Sequence, residues 1–263
     1  MNALYRWMFR HQKLAIVVFS VFLCGTYTAL MWFFHAPVWL IVVLDLFLIF
    51  LTYCAVSTAA MKLLKPAYDI LLNQCDPYPY LKETQEILAK TKSDAQKQIF
   101  LIDHCTALSY IGEYQIVYDI LSSVNIDKYA SILPPVKIIY YHNLASLCTE
   151  LNDFEAANLW HKKSEQMYAD LTNPKQKSQL DHTMQSGRAE DLFRKNDHNQ
   201  ALQILENKKS ENTLESINDA LLAAKIYIAQ NDTESAKIKL QFVIVNGNKT
   251  HSVTEAQKLL EQL

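Results

Sequence analysis

Two apolar stretches near the start of the chain decide its fold: residues 14–34, LAIVVFSVFLCGTYTALMWFF, and residues 38–57, VWLIVVLDLFLIFLTYCAVS. The first has 21 residues and no charged side chain, and the second has 20 residues and one charge, Asp45. At a rise of about 1.5 Å per residue, a helix of either length crosses the roughly 30 Å hydrocarbon layer of a membrane. Because only residues 35–37 separate the two stretches, the sequence predicts an antiparallel transmembrane hairpin within residues 1–65.

Basic residues flank this hairpin at both outer ends, and its turn contains no Lys or Arg. They are Arg6, Arg10 and Lys13 before the first span and Lys62 and Lys65 after the second. The positive-inside rule therefore predicts a multi-pass protein of the cell membrane with both termini in the cytoplasm. A cleaved signal peptide is the alternative, but the first apolar run exceeds the apolar core of about 7–15 residues in such peptides and is followed by a second span.

Asp45 is the one hairpin residue that calls for a chemical explanation, because a carboxylate near the bilayer centre is costly unless it is protonated or paired. Counted from the turn, Asp45 faces the level of residues 26–28, Thr-Tyr-Thr, so a hydrogen bond within the hairpin is expected. Gly25 and Ala29, spaced small-x-x-x-small, predict close helix packing within the hairpin or in a homo-oligomer. A transport role for Asp45 is the alternative, although one carboxylate on two helices does not line a pathway by itself.

Residues 66–263 read as amphipathic helices separated by short polar breaks, with residues 66–97 as connecting helices. They hold 20 basic and 26 acidic residues without a Lys/Arg block, which argues against nucleic acid as a partner. The five cysteines are far apart, so neither a disulfide framework nor a zinc site is predicted. Four glycines favour an all-α fold, and abundant Lys, Asn and Gln suggest a bacterial source.

A short motif recurs in this part of the chain and predicts turns between paired helices. An Asn-Asp dipeptide is followed by an alanine five residues after the Asn, and Gly112-Glu113 is a looser copy. The Asn or Asp is expected to cap a new helix. The motif residues are Asn152, Asp153 and Ala157; Asn196, Asp197 and Ala201; Asn231, Asp232 and Ala236. Seven residues before each turn lies a small residue that permits close helix packing: Cys105, Ala145, Ala189 and Ala224.

With this pattern, residues 98–248 resemble the tetratricopeptide repeat family, whose unit is a helix pair with small residues at these two places. Tyr114 and Phe154 match the family's turn aromatic, whereas His198 and Thr233 depart from it. The turns are 40, 44 and 35 residues apart, against a family period of about 34. The resemblance implies an α-solenoid, with residues 249–263 as a capping helix.

The resemblance also implies a binding groove, formed by the first helix of each pair, for a peptide segment of a protein partner. The family's contact places fall on His142, Asn143 and Ser146 in one unit, Ser186, Glu190 and Phe193 in the next, and Leu221 and Lys225 in the last. Of these, His142, Asn143, Glu190 and Lys225 are expected to be exposed. The family's carboxylate clamp has lysines, an arginine and asparagines at defined contact places. Position by position only Asn143 matches them, so that clamp is not expected.

No catalytic motif with defined spacing occurs, and the histidines are scattered, so neither an enzyme nor a cofactor or metal site is predicted. The leading hypothesis is a membrane-anchored cytoplasmic scaffold or adaptor that binds a cytoplasmic protein or a membrane complex. The alternative is a small membrane transport component or enzyme centred on Asp45.

Overall fold

The structure, a computed structural model, describes residues 2–34 and 37–263, and two residues of the predicted turn, His35 and Ala36, lie outside this range. At nine positions only the backbone is described: residues 2, 3, 9, 10, 12, 56, 57, 60 and 61. The described residues form helices and their connections without a strand, which confirms the all-helical prediction. The chain divides into two compact units, with the boundary between Ala67 and Tyr68.

The first unit contains the two apolar helices. Its helices are α1 (Asn2–Arg10), α2 (Gln12–Phe33), α3 (Val38–Ser57) and the first part of α4 (Ala59–Gln74). Within the described residues, α2 and α3 are long and apolar enough, by length and composition, to cross a membrane. They pack against each other, yet only 11% of each apolar window is buried. Most of their apolar side chains therefore face outward.

In the described residues, the second unit contains ten further α-helices and a short 3-10 helix, Ile126–Lys128. The α-helices are α5 (Tyr78–Leu88), α6 (Asp94–Ser109), α7 (Tyr114–Ser123), α8 (Pro134–Glu150), α9 (Phe154–Ala169), α10 (Pro174–Arg194), α11 (His198–Asn207), α12 (Thr213–Ala229), α13 (Thr233–Asn246) and α14 (His251–Glu261). Their starts follow from local chemistry, because proline occupies the first position of α8 and α10, where its missing N–H costs nothing. The side chains of Ser93, Asn173 and Asn212 cap α6, α10 and α12.

The three Asn-Asp turns have the same geometry, and the two residues have different roles. Asn152, Asn196 and Asn231 each adopt φ +61°, the left-handed conformation that ends a helix. The Asp side chain then accepts a hydrogen bond from the N–H three residues later, as between Asp153 and Ala156 at 3.1 Å. The backbone N–H of each Asp donates to a backbone carbonyl of the preceding helix. It is therefore not available as a donor to a side chain at the third position of the helix that follows. Gly112, with φ +92°, makes the corresponding turn between α6 and α7.

These turns join α6 to α7, α8 to α9, α10 to α11 and α12 to α13, and each of these pairs is in contact. The predicted small residues lie in the helix contacts, and all seven are buried: Cys105, Ala145, Ala157, Ala189, Ala201, Ala224 and Ala236. The first helices of successive pairs also touch, α6 with α8, α8 with α10, and α10 with α12. The helices that carry the predicted groove residues, α8, α10 and α12, therefore contact one another in this order.

The C-terminal segment returns to the beginning of the second unit. The Asn248 side-chain amide donates to the carbonyl of Gln74 at 2.7 Å, and the Lys249 ammonium lies 2.6 Å from an Asp76 carboxylate oxygen. The His251 N–H donates to the carbonyl of Tyr110 at 2.8 Å. Helix α14 also packs on α12 and α13. Residues 248–251 therefore bond to the end of α4, to Asp76 and to the end of α6, while α14 packs on the last helix pair.

Candidate functional site

The predicted groove residues lie on α8, α10 and α12, and polar contacts connect these helices to their neighbours. The Asn143 amide on α8 approaches the Thr106 hydroxyl on α6 at 3.4 Å. The Ser146 hydroxyl donates to the Glu190 carboxylate on α10 at 3.0 Å. Seven of the eight predicted residues are partly buried, and Leu221 is buried. The structure thus pairs several of the predicted groove residues with side chains of neighbouring helices.

Ser186 belongs to a buried ionic cluster that sequence reasoning did not find. The side chain of Lys208 is 0% exposed, and its ammonium lies 2.8 Å from carboxylate oxygens of both Glu215 and Asp219. It also lies 2.6 Å from the Ser186 hydroxyl. Burial raises the pKa of Glu215, but the hydrogen bond from Lys208 and further contacts outweigh burial and bring it below its usual range. This cluster ties the end of α11 to α10 and α12.

Lys225 was predicted to be an exposed contact residue, but the structure pairs it with carboxylates of two other helices. Its ammonium lies 2.7 Å from Glu255 on α14 and 3.7 Å from Glu150 on α8, and its side chain is 26% exposed. Burial lowers the pKa of Lys225, but Glu150 and Glu255 more than offset this, and the net shift is upward. Burial raises the pKa of Glu150, with Lys225 opposing it. Lys225 is therefore a link between three helices, and its replacement should affect stability as well as any binding.

His142 lies against α10 beside a second imidazole. A Cβ atom at Gly187 would lie 3.0 Å from the His142 ring and 3.7 Å from that of His161. Burial, with a smaller contribution from His161, lowers the pKa of His142 to about 4, so the ring is neutral at physiological pH. Gly187 thus leaves the space that the two rings occupy.

The described histidines of α6, α8 and α9 lie at two separate places. His104 pairs with the Thr84 hydroxyl at 3.0 Å, whereas His142 and His161 meet at Gly187. Among the residues whose side chains the structure describes, no group of three or more His, Cys, Asp or Glu is placed to hold a metal ion. Phe193 packs its ring against His198, with centroids 5.7 Å apart.

Asp45 makes the hydrogen bond within the hairpin that the sequence led us to expect, and Thr28 is the donor. The Thr28 hydroxyl lies 2.9 Å from Asp45 Oδ2, whereas Thr26 bonds to the carbonyl of Phe22 in its own helix. The Cys24 thiol approaches the Asp45 carbonyl at 3.6 Å. Asp45 Oδ1 is buried and has no hydrogen-bond partner. The carboxyl group therefore contributes to the contact between α2 and α3 with one oxygen only.

The residues that sequence reasoning missed are Lys208, Asp219, Glu150 and Glu255. Lys208 stands beside Lys209 in a polar break, and nothing in their spacing separates the buried lysine from the exposed one. Glu255 lies in the segment predicted only as a capping helix, and it pairs with Lys225. The Asn212 cap and the following Glu215 do mark the start of α12, so the position of Glu215 one turn into that helix was open to prediction.

Comparison of the chain with models of protein families, with characterised proteins and with solved structures found no match.

Proposed function

We propose that this chain is a membrane-anchored helical interaction protein, with α2 and α3 as a transmembrane hairpin and the second unit as a cytoplasmic scaffold. The observation that carries the proposal is the outward exposure of the apolar helices. Val21 and Phe22 on α2 and Leu46 on α3 are each more than 60% exposed. Water is a poor solvent for such a surface, and a bilayer would remove it from water.

The orientation proposed for the hairpin places both termini in the cytoplasm, as the basic residues at its outer ends favour. A single cysteine introduced at Ala36 in a cysteine-free background should react with an impermeant thiol reagent in intact cells. A cysteine at Asn212 should react only after the membrane is opened. The opposite pattern would overturn the orientation and the cytoplasmic assignment of the second unit.

The second unit is proposed to be a degenerate tetratricopeptide-like array. Four turns with matching hydrogen bonds and seven buried small residues at the paired positions support this likeness. In such an array the first helices would share an inner face, and the hydrogen bonds of Asn143, Ser146 and Ser186 to the neighbouring first helices support this proposal. We propose that a segment of a cytoplasmic protein, or of the cytoplasmic part of a membrane complex, binds this face.

Site-specific photo-crosslinking tests the inner face without disturbing its ionic links. A photoreactive side chain is placed in turn at Asn143 and Phe193, which are partly buried, and cells are irradiated before purification. The matched control is Leu159, which lies on α9 and is 59% exposed. A binding partner of the inner face should be captured from the first two positions and not from Leu159. Capture from Leu159 alone would move the interaction to the other helices of the pairs.

The alternative function, a transport component centred on Asp45, has one observation in its favour, the buried and unpartnered Oδ1 oxygen. Reconstituted protein should show no ion or proton flux if Asp45 only joins α2 to α3. A flux that Asp45→Asn abolishes in folded protein would give the transport function the lead.

A further inference from the structure

Basic residues of the first unit gather at one end of the α2–α3 hairpin. The Thr28–Asp45 hydrogen bond sets the register of the two helices, which run antiparallel. Lys13 near the start of α2 therefore falls at the level of about residue 60, by the common rise along both helices. Lys62 on α4 lies close to that level, and both lysines are exposed. Two helices thus contribute cations to the same end.

Helix α1 folds against the hairpin at this same end. The helical path breaks at His11, which adopts φ −121° and ψ 44°, and α1 packs on both α2 and α3. Met8 is buried, and the Trp7 ring meets the Phe19 ring edge-on with centroids 6.3 Å apart. The Lys62 ammonium lies 5.3 Å from the centroid of the Tyr5 ring. These contacts place the Tyr5 ring of α1 beside Lys62, and they hold the Trp7 ring of α1 against α2.

We infer that this end of the hairpin, formed by α1, Lys13 and Lys62, binds the headgroups of anionic phospholipids. The inference rests on the membrane anchoring proposed above. Headgroup phosphates accept hydrogen bonds from lysine and arginine, and Tyr and Trp rings favour the same interfacial depth. The surrounding charge suits an anion, since the sole acidic residue among residues 1–65 is Asp45. Asp45 is in register with Thr28, roughly 20 Å along the helix from Lys13.

One positively charged side chain near a lipid surface strengthens the affinity for anionic lipid by about fivefold. Replacing both lysines by glutamine, Lys13→Gln with Lys62→Gln, should therefore lower the preference for anionic lipid by roughly an order of magnitude or more. Lys13→Arg with Lys62→Arg keeps the charge and should keep the preference. The matched control removes two exposed lysines from the second unit, Lys209→Gln with Lys258→Gln, and should behave as wild type.

The experiment uses the full chain, reconstituted into vesicles of phosphatidylcholine alone or of phosphatidylcholine and phosphatidylglycerol in equal amounts. Flotation measures anchoring, and mass spectrometry of lipids retained after mild detergent extraction measures headgroup preference. We expect every variant to float with both vesicles, and phosphatidylglycerol to be enriched on all but the double glutamine variant of the hairpin.

The outcomes separate the two proposals. Flotation of all variants with no enrichment on the wild type, or with equal enrichment on the double glutamine variant, would overturn the headgroup site and leave the anchor intact. Failure of the wild type to float with either vesicle would refute the anchor and the headgroup site together.

Discussion

Removing the buried charge of Lys208 should destabilise the second unit strongly. Lys208→Met keeps most of the side-chain length but leaves Glu215 and Asp219 without the ammonium that lies 2.8 Å from both. Their side chains are 16% and 12% exposed, so water compensates them poorly. Breaking a buried ion pair by removing one partner costs roughly 3–5 kcal/mol, and we expect a loss of that order at neutral pH.

The loss should depend on pH in a defined direction. In the wild type the pKa of Glu215 is below its usual range, so this residue adds stability that is present above the unfolded pKa and lost as the pH falls. In Lys208→Met, the contacts with Lys208 that lower the pKa of Glu215 are gone, so this pKa should be higher than in the wild type. Acidification then costs the variant less stability than the wild type, and the deficit relative to wild type should shrink as the pH falls from neutral toward about 4.5.

Urea unfolding of the full chain in detergent, followed by circular dichroism at neutral and mildly acidic pH, measures this effect. Lys209→Met is the matched control, because Lys209 is the next residue along the chain and is exposed. A Lys208→Met variant as stable as Lys209→Met would contradict the burial of the ammonium. A deficit that grows on acidification would contradict the assigned role of the carboxylates.

Asn196→Ala should lower the free energy of unfolding by about 1 kcal/mol, because φ is +61° there, whereas Asn196→Gly should be tolerated; urea unfolding of both compares them. Ala201→Leu should lower the melting temperature, since enlarging this fully buried contact costs roughly 1–3 kcal/mol, while Leu at the exposed Gln203 is the control. The pKa of His142 is lowered to about 4, so between about pH 6.5 and 4 the unfolded chain binds a proton here that the folded chain does not. The stability that His142 contributes above its unfolded pKa is therefore lost as the pH falls through this range. His142→Gln should flatten this part of a curve of stability against pH. Asp45→Asn should still insert and fold, since the amide oxygen can accept the Thr28 hydrogen bond, and loss of the protein from the membrane fraction would contradict this.

Much of the helical architecture could be read from local signals. Capping residues and prolines at residues 93–94, 134–135, 173–174 and 207–212 lie at helix boundaries, because these signals act within a few residues. The Asn-Asp turns were recognisable for the same reason. Even there, only the backbone angles and hydrogen bonds showed that the Asn adopts the left-handed conformation and the Asp caps the next helix.

From the sequence, the candidate site could be predicted only as a set of positions on the first helix of each pair. The resemblance to the tetratricopeptide repeat family implied that His142, Ser146 and Glu190 lie on first helices, but it did not say which side chains on neighbouring helices meet them. Lys225 illustrates the limit, because its partners Glu150 and Glu255 are 75 and 30 residues away in the chain. Their meeting depends on the rotation and spacing of whole helices, which no local pattern encodes.

The sequence by itself determined the two apolar helices, the all-helical class, the turns and the small residues at the helix contacts, because span length, capping and periodicity are local properties. Only the tertiary structure decided that Lys208 is buried among carboxylates, that Asn248 and Lys249 return to residues 74–76, and that His251 at the start of α14 bonds to residue 110. It also decided that several residues expected to be free on the inner face are paired within the chain. These features arise because packing brings distant helices together, and the cost of leaving charges unpaired in their contacts selects which side chains meet.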